Sequence, residues 1–95
     1  MNELEAETLL NQSRDKIDEI DDKILELILE RTSLSEDIIT SKKVLNKDLF
    51  DPSREKIIQN KIRGALTGKQ INADKVIQIF DLLASISKEE QEKFL

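Results

Sequence analysis

Between the N-terminus and Asp51 there is neither a glycine nor a proline, and through that stretch apolar side chains return at heptad spacing. One series, seven apart, reads Leu10, Ile17, Ile24, Arg31, Ile38 and Leu45. The other reads Ser13, Ile20, Leu27, Leu34 and Ser41. Seven residues nearly close two helical turns, so the two series lie together as a stripe of a and d type. The opposite face is dense in Glu, Asp and Lys, as a solvated face should be. The pattern predicts one helix from about residue 5 to about residue 44.

At 1.5 Å per residue, ~40 residues span ~60 Å. A compact chain of 95 residues has a radius of gyration of only ~12 Å and a diameter of ~30 Å. The helix therefore overshoots its own globule about twofold. Alone, it would leave much of its stripe in water, and the simplest cover is a second copy of the chain. The expected fold class is all-α, with three helices per chain, one very long and N-terminal, assembled as an intertwined helical homodimer.

The first break falls at residues 46–51. Asp51 followed by Pro52 offers an N-cap acceptor and a proline at the first helical position. They open a second helix expected over about 52–67, with Ile57, Ile58, Ile62 and Leu66 inward. Gly68 ends it, while Gly64 sits inside at a cost of about 1 kcal/mol relative to Ala. Asn72 caps a third helix, about 73–93, carrying Val76, Ile79, Phe80, Leu83 and Phe94. With no internal repeat or low-complexity segment, residues 1–95 read as a single helical domain. No run approaches the ~18 apolar residues of a membrane span. The opening Met-Asn-Glu-Leu-Glu-Ala-Glu is acidic where a secretory signal is basic and then apolar. The expectation is a cytoplasmic protein with no membrane partner.

Composition narrows the chemistry. The chain has no Cys, His, Trp or Tyr, which removes thiol nucleophiles, Cys/His zinc sites and every mechanism built on imidazole. An enzyme made from this chain works with Arg, Lys, Asp, Glu, Ser and Gln. The net charge of −5 and 3% aromatic content argue against a nucleic-acid partner. The charge is uneven, however: residues 1–41 sum to −8, residues 42–69 to +5 and residues 70–95 to −2. The acidic run Asp18-Glu19-Ile20-Asp21-Asp22 lacks the glycine and spacing of a calcium loop and reads as a solvated face. No metal and no cofactor are expected.

Several polar residues stand where the pattern asks for apolar ones. Arg31 occupies an a-type position, where its permanently charged guanidinium either snorkels, marks register or meets an anion. Lys42 lies 11 residues later, and 11 steps of ~100° return to the same face. Arg14, 17 residues before Arg31, is ~25 Å away along one helix. An antiparallel partner crossing near residue 25 brings the second copy's Arg14 between Arg31 and Lys42. At the start of the second helix, Asp51, Arg54 and Glu55 fall within one turn, with both carboxylates on one face. On the third helix Phe80, Ala84, Ser87 and Gln91 follow a 4-3-4 spacing that turns polar at its end. Singly, each has an ordinary explanation: a cap with first-turn acids, or a helix emerging into solvent. Together they describe an apolar helical interior lined with cations, two carboxylates, a hydroxyl and an amide, suited to a small dianion with a polar neutral portion.

The run from Arg14 to Arg31, Arg-Asp-Lys-Ile-Asp-Glu-Ile-Asp-Asp-Lys-Ile-Leu-Glu-Leu-Ile-Leu-Glu-Arg, resembles the opening of the all-helical, type II chorismate mutases. Lys42 eleven residues on, Asp51-Pro-Ser-Arg54-Glu55, and Ile79-Phe80 followed by Ser87 and Gln91 are similar to the family's remaining motifs, in order and in spacing. The likeness runs from about Leu9 to Gln91, nearly the whole chain. It implies an intertwined dimer with two sites, each completed by Arg14 of the other subunit, and the Claisen rearrangement of chorismate to prephenate on the route to phenylalanine and tyrosine. It further implies that Arg14 and Arg31 hold substrate carboxylates and that Lys42 contacts a carboxylate and the ether oxygen. Gln91 would donate to that same oxygen, and Glu55 with Asp51 would position the ring hydroxyl. Arg54 would complete the cage, and Ser87 would bind a carboxylate or the hydroxyl region. Thr32, Ile39 and Phe50 depart from the family's usual residues without removing any of these contacts. Two other readings stay open: isochorismate-pyruvate lyase on the same fold, and a non-catalytic helical dimer module.

Overall fold

The computed structural model describes residues 1–95. All of its regular structure is helical: α1 (Glu3–Ser33), α2 (Ser35–Val44), α3 (Pro52–Leu66) and α4 (Ala73–Glu92). The single N-terminal helix expected over about 5–44 is thus corrected to two, divided at Leu34. There the Leu34 N–H reaches back three residues to the Arg31 carbonyl at 3.3 Å. A three-residue return tightens the turn in the manner of a 3₁₀ helix. The four-residue ladder then resumes, with the Ile38 N–H on the Leu34 carbonyl at 3.0 Å. No glycine or proline marks the joint. None of the helices is long and apolar enough to cross a membrane.

The chain divides into two compact units, Met1–Glu30 and Arg31–Leu95. The first is a helix begun by Asn2, whose side chain accepts the Glu5 N–H at 2.8 Å. It buries none of its side chains, and Leu10, Ile17, Ile20, Ile24 and Leu27 of the heptad stripe are each roughly half exposed.

In the second unit, α4 packs against both α2 and α3. Ile39, Ile62 and Ile77 form its core, together with buried Ser35 and Gln91. The inner face of α4 is rotated from the sequence expectation: Ile77 is 6% exposed, whereas Ile79 is 56% exposed. On α3, Ile62 is buried but Ile57 is exposed.

The helix ends carry local chemistry. α2 closes with Asn46 in the left-handed region (φ 55°). The Asn46 N–H bonds the Lys43 carbonyl and the Lys47 N–H bonds the Lys42 carbonyl, at 3.3 and 2.8 Å. This pairing is a Schellman cap, which satisfies carbonyls the helix would otherwise leave bare. Asp51 caps α3 ahead of Pro52, and Asn72 caps α4 through the Lys75 N–H. Gly68, at φ 76°, takes the left-handed turn after α3 that a side chain would strain.

Candidate functional site

A cavity of about 650 Å³ lies among α2, α3 and α4. Its lining includes Arg31, Lys42, Asp51, Arg54, Glu55, Ser87 and Gln91. Seven of the eight residues singled out in the sequence therefore meet in one pocket. Arg14 is not in that lining; it belongs to the other unit, exposed on α1.

The last turn of α2 presents Lys42, and the buried end of α4 presents Gln91. The Lys42 Nζ donates to the Gln91 Oε1 at 2.9 Å and to the Leu49 carbonyl at 2.7 Å. An ammonium only donates, so this contact fixes which end of the Gln91 amide faces Lys42. The Gln91 Nε2 then points the other way and donates to the Ser87 Oγ at 2.9 Å. At 3% exposure Gln91 has little freedom to leave this arrangement. Donor arithmetic shows what remains: one N–H on Lys42, one on Gln91, and the Ser87 hydroxyl proton.

Arg31 spends one N–H on the Leu83 carbonyl of α4, at 3.0 Å. A guanidinium has five, so four stay available for a carboxylate. That single tie aims a long side chain across the unit and lowers the entropy lost on binding.

The start of α3 brings acceptors to the same pocket. The Asp51 Oδ1 receives both the Ser53 hydroxyl, at 2.7 Å, and the Arg54 backbone N–H, at 3.1 Å. The Ser53 hydroxyl first, and then the Arg54 N–H, hold the Asp51 carboxyl below the usual carboxylate range. Lys47 and Lys42 add smaller pulls in the same direction, against an opposing desolvation effect. Both bonds use one oxygen, which leaves Oδ2 to accept from a ligand. Glu55, one turn further along α3, is 3.8 Å from the Lys88 Nζ.

Lys47, Lys88 and Asp37 also line the cavity and were missed from the sequence. Lys88 follows Ser87 directly and stands one turn before Gln91, so the 4-3-4 spacing contained the signal. The Leu49 carbonyl had none, because every residue carries one. Formal charge over the lining is five cations (Arg31, Lys42, Lys47, Arg54, Lys88) against three acids (Asp37, Asp51, Glu55). The excess of two positive charges suits a dianion.

A second cavity of about 420 Å³ lies between α3 and α4, where Ile57, Ile58, Ile62, Val76 and Phe80 meet Arg31, Arg54 and Lys61.

Among known proteins, residues 13–92 match the family described as chorismate mutase type II. The chorismate mutase of Methanocaldococcus jannaschii is 41% identical over 86 residues, covering 90% of this chain and 87% of that one. No solved structure matches.

Proposed function

The chain belongs to the type II chorismate mutase family, and on that premise we propose that the pocket centred on Lys42 and Gln91 is where it rearranges chorismate to prephenate. Its activity is that of a chorismate mutase, an isomerase. The observation that carries the assignment of the site is the chain of donors running from Lys42 through Gln91 to Ser87.

A Claisen rearrangement moves electrons around a ring. One carbon–oxygen bond breaks as a carbon–carbon bond forms, no proton changes hands and no nucleophile is needed. Catalysis comes from holding the compact conformer and from stabilising charge on the departing ether oxygen. The spare N–H groups of Lys42 and Gln91 serve that oxygen. Arg31 takes one carboxylate, with Ser87 adding its hydroxyl proton. Asp51, through its open Oδ2, and Glu55 accept from the ring hydroxyl, which orients the substrate. Arg54 adds positive charge between the two ends.

The second carboxylate calls for a further cation, and Arg14 of a second copy fills that role in this reading. Support comes from α1, whose apolar stripe is uncovered in a single chain. The protein is expected to sediment as a dimer at micromolar concentration, and an active monomer would remove Arg14 from the site.

The decisive experiment incubates the protein separately with chorismate and with isochorismate and identifies the products. Prephenate from chorismate is expected. Pyruvate released from isochorismate without any prephenate would replace the mutase with a lyase, and no turnover of either would leave a non-catalytic helical dimer.

A further inference from the structure

The two carboxylates at the accepting end do not have equal support. Asp51, the N-cap, and Glu55, in the first turn of α3, stand four residues apart, and their like charges repel. Asp51 is anchored by two hydrogen bonds to its own turn. Glu55 receives no side-chain hydrogen bond from α3, and what faces it is Lys88 from α4, at 3.8 Å. Lys88 is itself located on its other side: its Nζ sits 4.7 Å from the centre of the Phe50 ring. Phe50 directly precedes the Asp51 cap. An ammonium over an aromatic face is held by the ring quadrupole, so Phe50, Lys88 and Glu55 form a bridge from α4 to the first turn of α3.

We propose that Lys88 is a positioning residue: steadied by Phe50, it holds the Glu55 carboxylate at the hydroxyl-binding end of the pocket. The proposal rests on the role given to Glu55 above. It also explains how a fifth cation in the lining avoids competing with Arg31 and Lys42 for the substrate's carboxylates. Paired with Glu55, its charge is spent on that carboxylate.

The test is a double-mutant cycle on kcat/KM with chorismate, using Lys88→Met, Glu55→Gln and the pair. Lys88→Met keeps the length of the side chain and removes the charge. It is expected to lower kcat/KM about fivefold, the upper end for a partly exposed ion pair. Lys88→Arg should restore most of that loss, and Lys88→Met should cost nothing further once Glu55 is Gln. Losses that multiply in the double variant would overturn the proposal, because Lys88 would then act on substrate directly. So would a silent Lys88→Met, or an arginine that fails to rescue. A Glu55→Gln variant as active as the parent would instead overturn the role of Glu55, and the function of Lys88 with it. Should Lys88→Met fold poorly by circular dichroism, Phe50→Leu takes its place in the cycle and is held to the same pattern of outcomes.

Discussion

Gln91→Glu changes a single atom group at the point where the donor chain turns, and its effect can be worked out bond by bond. In the parent, the Gln91 Oε1 takes the Lys42 proton at 2.9 Å and Nε2 gives one to Ser87. A carboxylate in the same place still accepts from Lys42, so the buried charge is paired and the fold survives. It can no longer donate. The Ser87 hydroxyl must reverse and give its own proton to the new oxygen, which removes it from the substrate. The ether oxygen also loses its amide N–H and gains a negative neighbour. Losing one such donor costs about 10²–10³ in rate, or about 3–4 kcal/mol. At neutral pH the variant should therefore lose at least about two orders of magnitude in kcat/KM. Protonation restores an O–H where the amide N–H was, so activity should climb as pH falls, by up to about tenfold per unit above the pKa of the new carboxyl. The assay is chorismate consumption followed from neutral to mildly acidic pH, with the parent alongside. A variant whose pH profile runs parallel to the parent's would refute the reasoning, since the amide would then not face the breaking bond.

Lys42→Ala and Arg31→Ala should each reduce kcat/KM at least about 10²-fold, as expected for a lost charge contact in the transition state; near-normal turnover in either would reject its assignment. Asp51→Ala should lower the melting temperature and Asp51→Ser should recover it, because serine also caps α3, yet neither should restore the hydroxyl contact in turnover assays. The Asp51 carboxyl is lowered in the folded state, so its contribution to stability is complete above its unfolded value and lost only as pH falls through the still lower folded one. Acid unfolding curves of parent and Asp51→Ala should accordingly converge only at strongly acidic pH, and curves already superimposed near neutrality would contradict this. Ser35 is 2% exposed with an Oγ that has no partner; Ser35→Ala should stabilise the fold by about 1 kcal/mol, and a lower midpoint in urea would disprove it.

What could be read in advance and what could not divide along physical lines. The Asp51–Pro52 start of α3 and the Asn72 start of α4 are written in adjacent residues, so they are legible without tertiary information. The same holds for the glycine turn at Gly68. Arg31 and Lys42 stood out because charge on an apolar stripe demands an explanation. The Lys42–Gln91 bond links residues 49 apart, and only the packing of α2 on α4 brings them together. The joint at Leu34 left no composition signal, because one tightened turn needs no special residue. The inner face of α4 was misjudged at Ile77 and Ile79, since both are isoleucine and only the direction of packing separates them. Ile39, a departure from the family's usual residue, is among the most buried side chains in the chain, so its bulk serves the contact between helices.

The hydrogen bonds at Lys42 all point one way. Beginning at the ammonium, each group gives to the next, and the last proton, on Ser87, is left facing outward. Such a wire has a polarity, and reversing it would mean asking an ammonium to accept, which it cannot do. The Lys42 and Gln91 wall therefore turns its spare N–H groups to a ligand, while at the other wall the Asp51 and Glu55 carboxylates can only accept. A ligand that places an amine or an amide N–H against the Lys42 ammonium and the Gln91 amide N–H meets donors there and forfeits those hydrogen bonds in a confined space. The same molecule turned end for end fails at the other wall. The pocket thus discriminates by handedness of proton supply as well as by size and charge. That screen operates before any bond is broken.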